Sequence, residues 1–215
     1  MLVRDKLIEC GRKLYQRGLV WGNSGNISIR IDQDTFLINA TGANIGELKY
    51  DDLITCRLNE DRWEGIKRPS METGFHRGIY LVCEKAMAVV HSQPFYTTLV
   101  ACSDIILSTD LLPESMVYLG NIARVPYAHA GSPELAKFVT DRAKESQVML
   151  LNNHGAVVWA PNLDEVLLKT ETLELLCRMV VTAQAGNIHL KYLGQEKARD
   201  FIKHLRRISG QSEVA

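Results

Sequence analysis

Glu72, His91 and His154 are the side chains in this sequence whose types and surroundings suit metal-assisted proton transfer. Each stands beside a chain break or an apolar run. Glu72 closes Pro69-Ser70-Met71-Glu72, His91 follows Ala86-Met87-Ala88-Val89-Val90, and His154 lies in Asn153-His154-Gly155. The run before His91 reads as a buried strand. Side chains two apart on a strand point the same way, so His91 and Gln93 face one side together. If that side is a cavity, His91, Gln93 and His154 could converge on one divalent ion. Gln93 is the odd member, because a neutral amide oxygen is a poorer zinc ligand than imidazole. Glu72 reads as lying in the first turn of a helix opened by Pro69 and Ser70. There it is either an ordinary carboxylate stabilised by the helix end or a general base. His76, one turn on, reads as structural, and His189 and His204 as surface residues. His129 sits in a glycine-flanked loop, Tyr127-Ala128-His129-Ala130-Gly131.

A second group of residues suits an anion. Gly22-Asn23-Ser24-Gly25-Asn26 precedes a strand rather than opening a helix, so it lacks the context of a dinucleotide or nucleoside-triphosphate loop. Its small residues still allow backbone N–H groups to point into a shared space. Thr41-Gly42, after the neighbouring strand, and Ser70, at a helix N-terminus, could converge on the same anion. Each alone reads as a polar turn or a cap; only the combination favours phosphate.

These residues need a scaffold, and the composition allows one. The 215 residues are enough for one large core, and 46% apolar with 23% charged residues is ordinary globular composition. The 25 basic and 25 acidic side chains cancel, which removes the broad basic face a nucleic acid would need. Five scattered cysteines without a CxxC pair argue for a reducing compartment and against a disulfide scaffold. Charges throughout residues 1–17 argue against a signal peptide, and no apolar run is long enough for a bilayer, so the expectation is a cytoplasmic protein without membrane contact. Along the chain, helices are expected at residues 3–17, from Pro69 to about Cys83, after Pro94, from Ser132-Pro133 to about Glu145, from Asn162 towards Ala185, and over residues 195–208 before a frayed polar tail. Strands are expected at residues 26–31, 35–40, 53–58 and 86–91, with a hairpin of residues 148–152 and 156–159 around His154. Consecutive strand–turn–strand units make the sheet mixed or mainly antiparallel, in a single α/β domain covered by helices.

In order and spacing, the motifs resemble the class II aldolase/adducin-like family, in particular its L-fuculose-1-phosphate aldolase branch. The resemblance runs from Gly18 to about Gln184. It rests on Gly25-Asn26 with Ser28 and Arg30, Thr41-Gly42, Pro69-Ser70-Met71-Glu72 with Phe75-His76, Val89-Val90-His91, Val125-Pro126-Tyr127-Ala128 and His154-Gly155. It implies a three-layer fold with a nine-stranded, mainly antiparallel sheet, and a homotetramer with sites at subunit interfaces. It also implies a divalent metal, typically zinc, that stabilises an enediolate. Glu72 then falls on the acid/base position, His91 and His154 on metal-ligand positions, and Asn26, Thr41, Gly42 and Ser70 on phosphate-binding positions. Tyr118 falls near the tyrosine that protonates the aldehyde side. Two residues depart from the pattern: Gln93 stands where a second metal histidine is usual, and Met71 where a phosphate-binding serine is usual. An imidazole at His129 could offset the first.

The resulting expectation is a metal-dependent lyase of aldolase type, cleaving a small phosphorylated ketose or related sugar. An epimerase, dehydratase or decarboxylase would use the same site, because all pass through an enediolate or carbanion. The alternative of another kind is an adducin-like binding or assembly protein that keeps the fold without catalysis.

Overall fold

The computed structural model describes residues 2–208. Helix α1 (Val3–Gln16) buries Leu7, Cys10, Gly11 and Leu14. It ends where Gly18 adopts φ 68° and Leu19 N–H donates to Leu14 O, a left-handed C-terminal closure. Strands β1 (Asn26–Arg30), β2 (Thr35–Asn39), β3 (Leu53–Arg57) and β4 (Trp63–Glu64) follow. Next come α2 (Thr73–Val82), β5 (Ala88–Ser92), α3 (Phe95–Ala101), α4 (Pro113–Tyr118), β6 (Ile122–Val125) and α5 (Pro133–Ala143). The chain continues through β7 (Val148–Leu151), β8 (Gly155–Ala160), α6 (Leu163–Ala185) and α7 (Gln195–Ile208).

The strands form one sheet in the order β4-β3-β2-β1-β5-β8-β7-β6. Every neighbouring pair is antiparallel except β6 with β7. Strand periodicity divides the core. Leu37, Ala88, Val90, Val158 and Leu150 pack under α1, α3 and α6, whereas Phe36, Ile38, Val89, Trp159 and Met149 pack under α2 and α5. The sheet is thus covered on both faces, which is why β7 and β8 are near-continuous apolar runs rather than alternating ones. The three-layer α/β architecture matches the expectation, with eight strands among the described residues rather than nine.

Capping chemistry sets several boundaries where expected. Leu135 N–H donates to Ser132 Oγ at 3.1 Å and Glu165 N–H to Asn162 Oδ1 at 2.8 Å. The helix at Pro69 is different. Ala40 bridges to Pro69 and Ser70 N–H donates to Asn39 O, so this stretch stays paired to the end of β2. A turn then carries the chain to Thr73, where α2 begins. Glu72 is therefore the residue before the helix, not a member of its first turn, and Ser70 lies further upstream. Two short strands, β4 and β6, and the six-residue α4 are additions to the sequence reading. The polar tail after residue 208 lies outside the described residues.

Helix α3 is fixed by a buried carboxylate. Glu174 on α6 accepts from Tyr96 N–H at 3.1 Å, Thr97 N–H at 2.8 Å and the Thr97 hydroxyl at 2.8 Å. Because α3 directly follows β5 and Gln93-Pro94, this bond set also anchors the strand end that carries His91. Glu174→Ala leaves these buried donors without a partner, and we expect a loss of about 1–3 kcal/mol in urea unfolding. Glu174→Gln, which keeps one acceptor oxygen, should lose less; equal stability of all three proteins would refute the anchoring role.

Candidate metal centre and active site

Strand register brings the candidate residues together. Asn26 on β1 lies opposite His91 on β5, and β5 pairs on its other side with β8, directly after His154. The close fit depends on two glycines. A Cβ at Gly25, which has φ 79°, would stand 2.5 Å from His91 O. One at Gly155 would stand 2.6 Å from Ser92 O and 2.9 Å from Gln93 Cγ.

Glu72, His91 and His154 form a cluster whose ligand atoms all lie within 4.8 Å of one another. His91 Nδ1 is 3.0 Å from Ala156 O. A carbonyl oxygen only accepts, so Nδ1 carries a proton and Nε2 is turned into the cluster. His91 Nε2 stands 3.5 Å from Glu72 Oε2, and His154 Nε2 stands 3.6 Å from Glu72 Oε1. Glu72 is 7% exposed, and its Oε1 is buried without a hydrogen-bond partner. Burial, then the nearby His91, pushes the His154 pKa below its ordinary value, against an opposing pull from Glu72. Two imidazoles beside a buried carboxylate form a donor set that suits a divalent cation, the carboxylate balancing its charge.

The carboxylate is also held from behind. Asn26 Nδ2 donates to Glu72 Oε2 at 2.7 Å, and Asn26 Oδ1 meets His76 Nε2. His76 is fully buried and continues through Ser28 to Tyr80. Reading His76 as structural thus understated its place, one side chain away from Glu72. The signal was present: Asn26 and Ser28 have strand spacing, and His76 and Tyr80 have helix spacing, so each pair shares one face.

The remaining sequence candidates divide. Thr41 N–H donates to Arg68 O, so Thr41-Gly42 lies alongside the Arg68–Ser70 segment, and Ser70 Oγ accepts from Glu72 N–H at 3.3 Å. Thr41, Gly42 and Ser70 therefore gather near Glu72, whereas the Asn26 amide is already committed to Glu72 and His76. Gln93 lies one residue beyond β5, its backbone O accepting from Trp21 Nε1 and its side chain running against Gly155. Tyr118 ends α4, which packs on α6 in the other helical layer, and its ring makes no hydrogen bond or ring contact with the cluster. His129 is exposed, with Nδ1 3.3 Å from the Tyr127 hydroxyl, and does not join the cluster. A cavity of about 520 Å³ opens beside Glu72 between the starts of α2 and α5, with Ser70, Met71, Gly131 and Ser132 on its wall. Met71, 71% exposed, stands at its edge.

This site and fold define a class of protein, and comparison agrees. The chain belongs to the Class II Aldolase and Adducin N-terminal domain family, whose model matches residues 5–181. It is 30% identical over 201 residues to the 3-oxo-tetronate 4-phosphate decarboxylase of Haemophilus influenzae, covering 92% of this chain and 94% of the relative. It is 34% identical over 174 residues to the L-fuculose phosphate aldolase of Methanococcus maripaludis, covering 81% and 93%. Among solved structures, YgbL of Klebsiella pneumoniae superimposes with a TM-score of 0.85 at 30% identity, covering 93% of this chain and 97% of that one. Class II aldolases are metal dependent. No helix among the described residues is long and apolar enough to cross a membrane.

Replacing His91 or His154 by Ala should abolish binding of a divalent metal in titration calorimetry, because each removes a ligand that a third group cannot replace. Gln93→His should tighten it. Unchanged zinc affinity in Gln93→His would mean that position 93 does not face the ion.

Proposed function

We propose that this protein is a metal-dependent carbon–carbon lyase that decarboxylates a small phosphorylated 3-oxo sugar acid. The observation that carries the proposal is the single buried carboxylate facing two imidazoles, a cluster that no second carboxylate joins among the described residues. His91 and His154 would hold a divalent cation such as zinc, which when bound would supply a Lewis acid for the keto oxygen. When the carboxylate carbon departs as carbon dioxide, the bonding pair remains on the sugar and makes an enediolate. Only one proton then has to be delivered, to carbon. Glu72 can hold that proton on Oε1, the oxygen left without a partner, while Asn26 holds Oε2. The backbone of Thr41-Gly42 and the Ser70 region offer the phosphate its seat, which fixes the reacting carbons relative to Glu72. Met71 at the cavity edge leaves that seat with fewer hydroxyl donors than a serine would provide.

Aldol cleavage is the second reading, favoured by the likeness to the Methanococcus maripaludis enzyme. It breaks the same kind of bond but needs a base for the hydroxyl proton as well as an acid for carbon. Tyr118, the residue expected for one of these tasks, would have to reach the cluster from a second copy, as in a homotetramer. The two readings predict different products. Incubation of the metal-loaded protein with a phosphorylated four-carbon 3-oxo acid should release carbon dioxide, whereas a ketose 1-phosphate should yield little aldehyde; the opposite pattern would favour the aldolase. On the accepted substrate, Glu72→Gln should fold and bind metal but turn over about a hundred- to ten-thousand-fold more slowly. Full activity of that variant would remove Glu72 from the chemistry.

A further inference from the structure

We infer that His76 is a positioning residue that, through Asn26, determines which oxygen of Glu72 does the work. The inference rests on the reading of Glu72 as the acid/base, and it follows from hydrogen-bond polarity. A carboxylate only accepts, so the Asn26 amide nitrogen faces Glu72 Oε2, at 2.7 Å. Asn26 Oδ1 is thereby turned to His76 Nε2, and since an amide oxygen also only accepts, Nε2 must carry the imidazole proton. His76 Nδ1 is then a bare lone pair, 2.7 Å from Ser28 Oγ, and takes the Ser28 hydroxyl proton. The Ser28 oxygen in turn accepts from the Tyr80 hydroxyl at 2.7 Å. Four hydrogen bonds thus run in one direction, from Tyr80 to Glu72, and each fixes the polarity of the next.

The surroundings hold this arrangement in place. His76 is fully buried and stacks on Phe75, with ring centroids 4.8 Å apart and planes inclined by 20°. Burial, then the nearby His91, keeps its pKa well below the ordinary value, so the ring stays neutral and has one proton to place. The consequence appears at Glu72, whose two oxygens are unequal. Oε2 is pinned by Asn26, whereas Oε1 is buried with no hydrogen bond and faces His154 Nε2 at 3.6 Å. The chain of donors therefore leaves Oε1 as the oxygen open to a substrate proton. His76 touches neither that oxygen nor the three-residue cluster, so its effect is orientation of the carboxylate.

Two substitutions separate this role from simple packing. The amide of Gln reaches the place of Nε2 and can still donate to Asn26, whereas the amide of Asn reaches the place of Nδ1 and cannot. His76→Asn should lower kcat by about 10–100-fold with KM and bound metal unchanged, and His76→Gln should recover most of that loss. Ser28→Ala, which leaves the His76–Asn26 contact in place but frees the tautomer, should lower kcat less, and it carries the test if His76→Asn does not fold. Nitrogen-15 NMR of the histidine-labelled full chain should show His76 neutral with its proton on Nε2. Equal losses in His76→Asn and His76→Gln, wild-type kcat in His76→Asn and Ser28→Ala beside a slow Glu72→Gln, or a proton on His76 Nδ1 would each overturn the inference. Full activity in Glu72→Gln would instead contradict the acid/base reading beneath it.

Discussion

The centre depends on a buried carboxylate that two imidazoles face at 3.5 and 3.6 Å. Removing a charge from water costs several kcal/mol even after relaxation, so a buried carboxylate needs a compensating positive charge beside it. The Ala156 carbonyl takes the proton on His91 Nδ1, which turns Nε2 towards Glu72. A divalent cation held by both imidazoles would compensate that charge, and the three side chains lie close enough together to hold one.

The fold places this centre through backbone register rather than through flexible side chains. Asn26, His91 and the residues after His154 come from three adjacent strands of the sheet, β1, β5 and β8, where a slip by one residue would turn each side chain to the wrong layer. Gly25 and Gly155 allow the chains beside His91 to approach closely. Glu72 arrives differently, from a turn held by the Ala40–Pro69 bridge and the Asn39–Ser70 bond. That turn delivers the carboxylate over the sheet face on which His91 points, and the Asn26–His76–Ser28–Tyr80 chain keeps it there.

Much of this was legible in the residues. The central strands, the capped helices at Ser132 and Asn162 and the hairpin around His154 follow from local pattern, which is strong where apolar periodicity and capping coincide. His91, His154 and Glu72 stand out by type and context, and the structure brings them together. The start of α2 was misplaced because Pro69 and Ser70 fit both a helix opening and a strand pairing, and the choice is made by Ala40 and Asn39, some thirty residues away. Strands β4 and β6 are too short to show a period. Asn26 reads as a phosphate-loop residue because its neighbours are small and polar; its hydrogen bonds to Glu72 and His76 depend on elements far away in sequence and are not visible there. His76 looked structural because a histidine on an apolar helix face usually is; its partner on β1 becomes visible only when strand and helix are laid together.

Crystals of the full chain grown with zinc and measured at the zinc absorption edge test the central claim most directly. A single anomalous peak is predicted about 2.0–2.1 Å from Nε2 of both His91 and His154, with His91 Nδ1 still on Ala156 O and Asn26 still on Glu72 Oε2. No peak between these residues at saturating zinc, or a His91 ring turned away so that Nδ1 leaves Ala156, would contradict it.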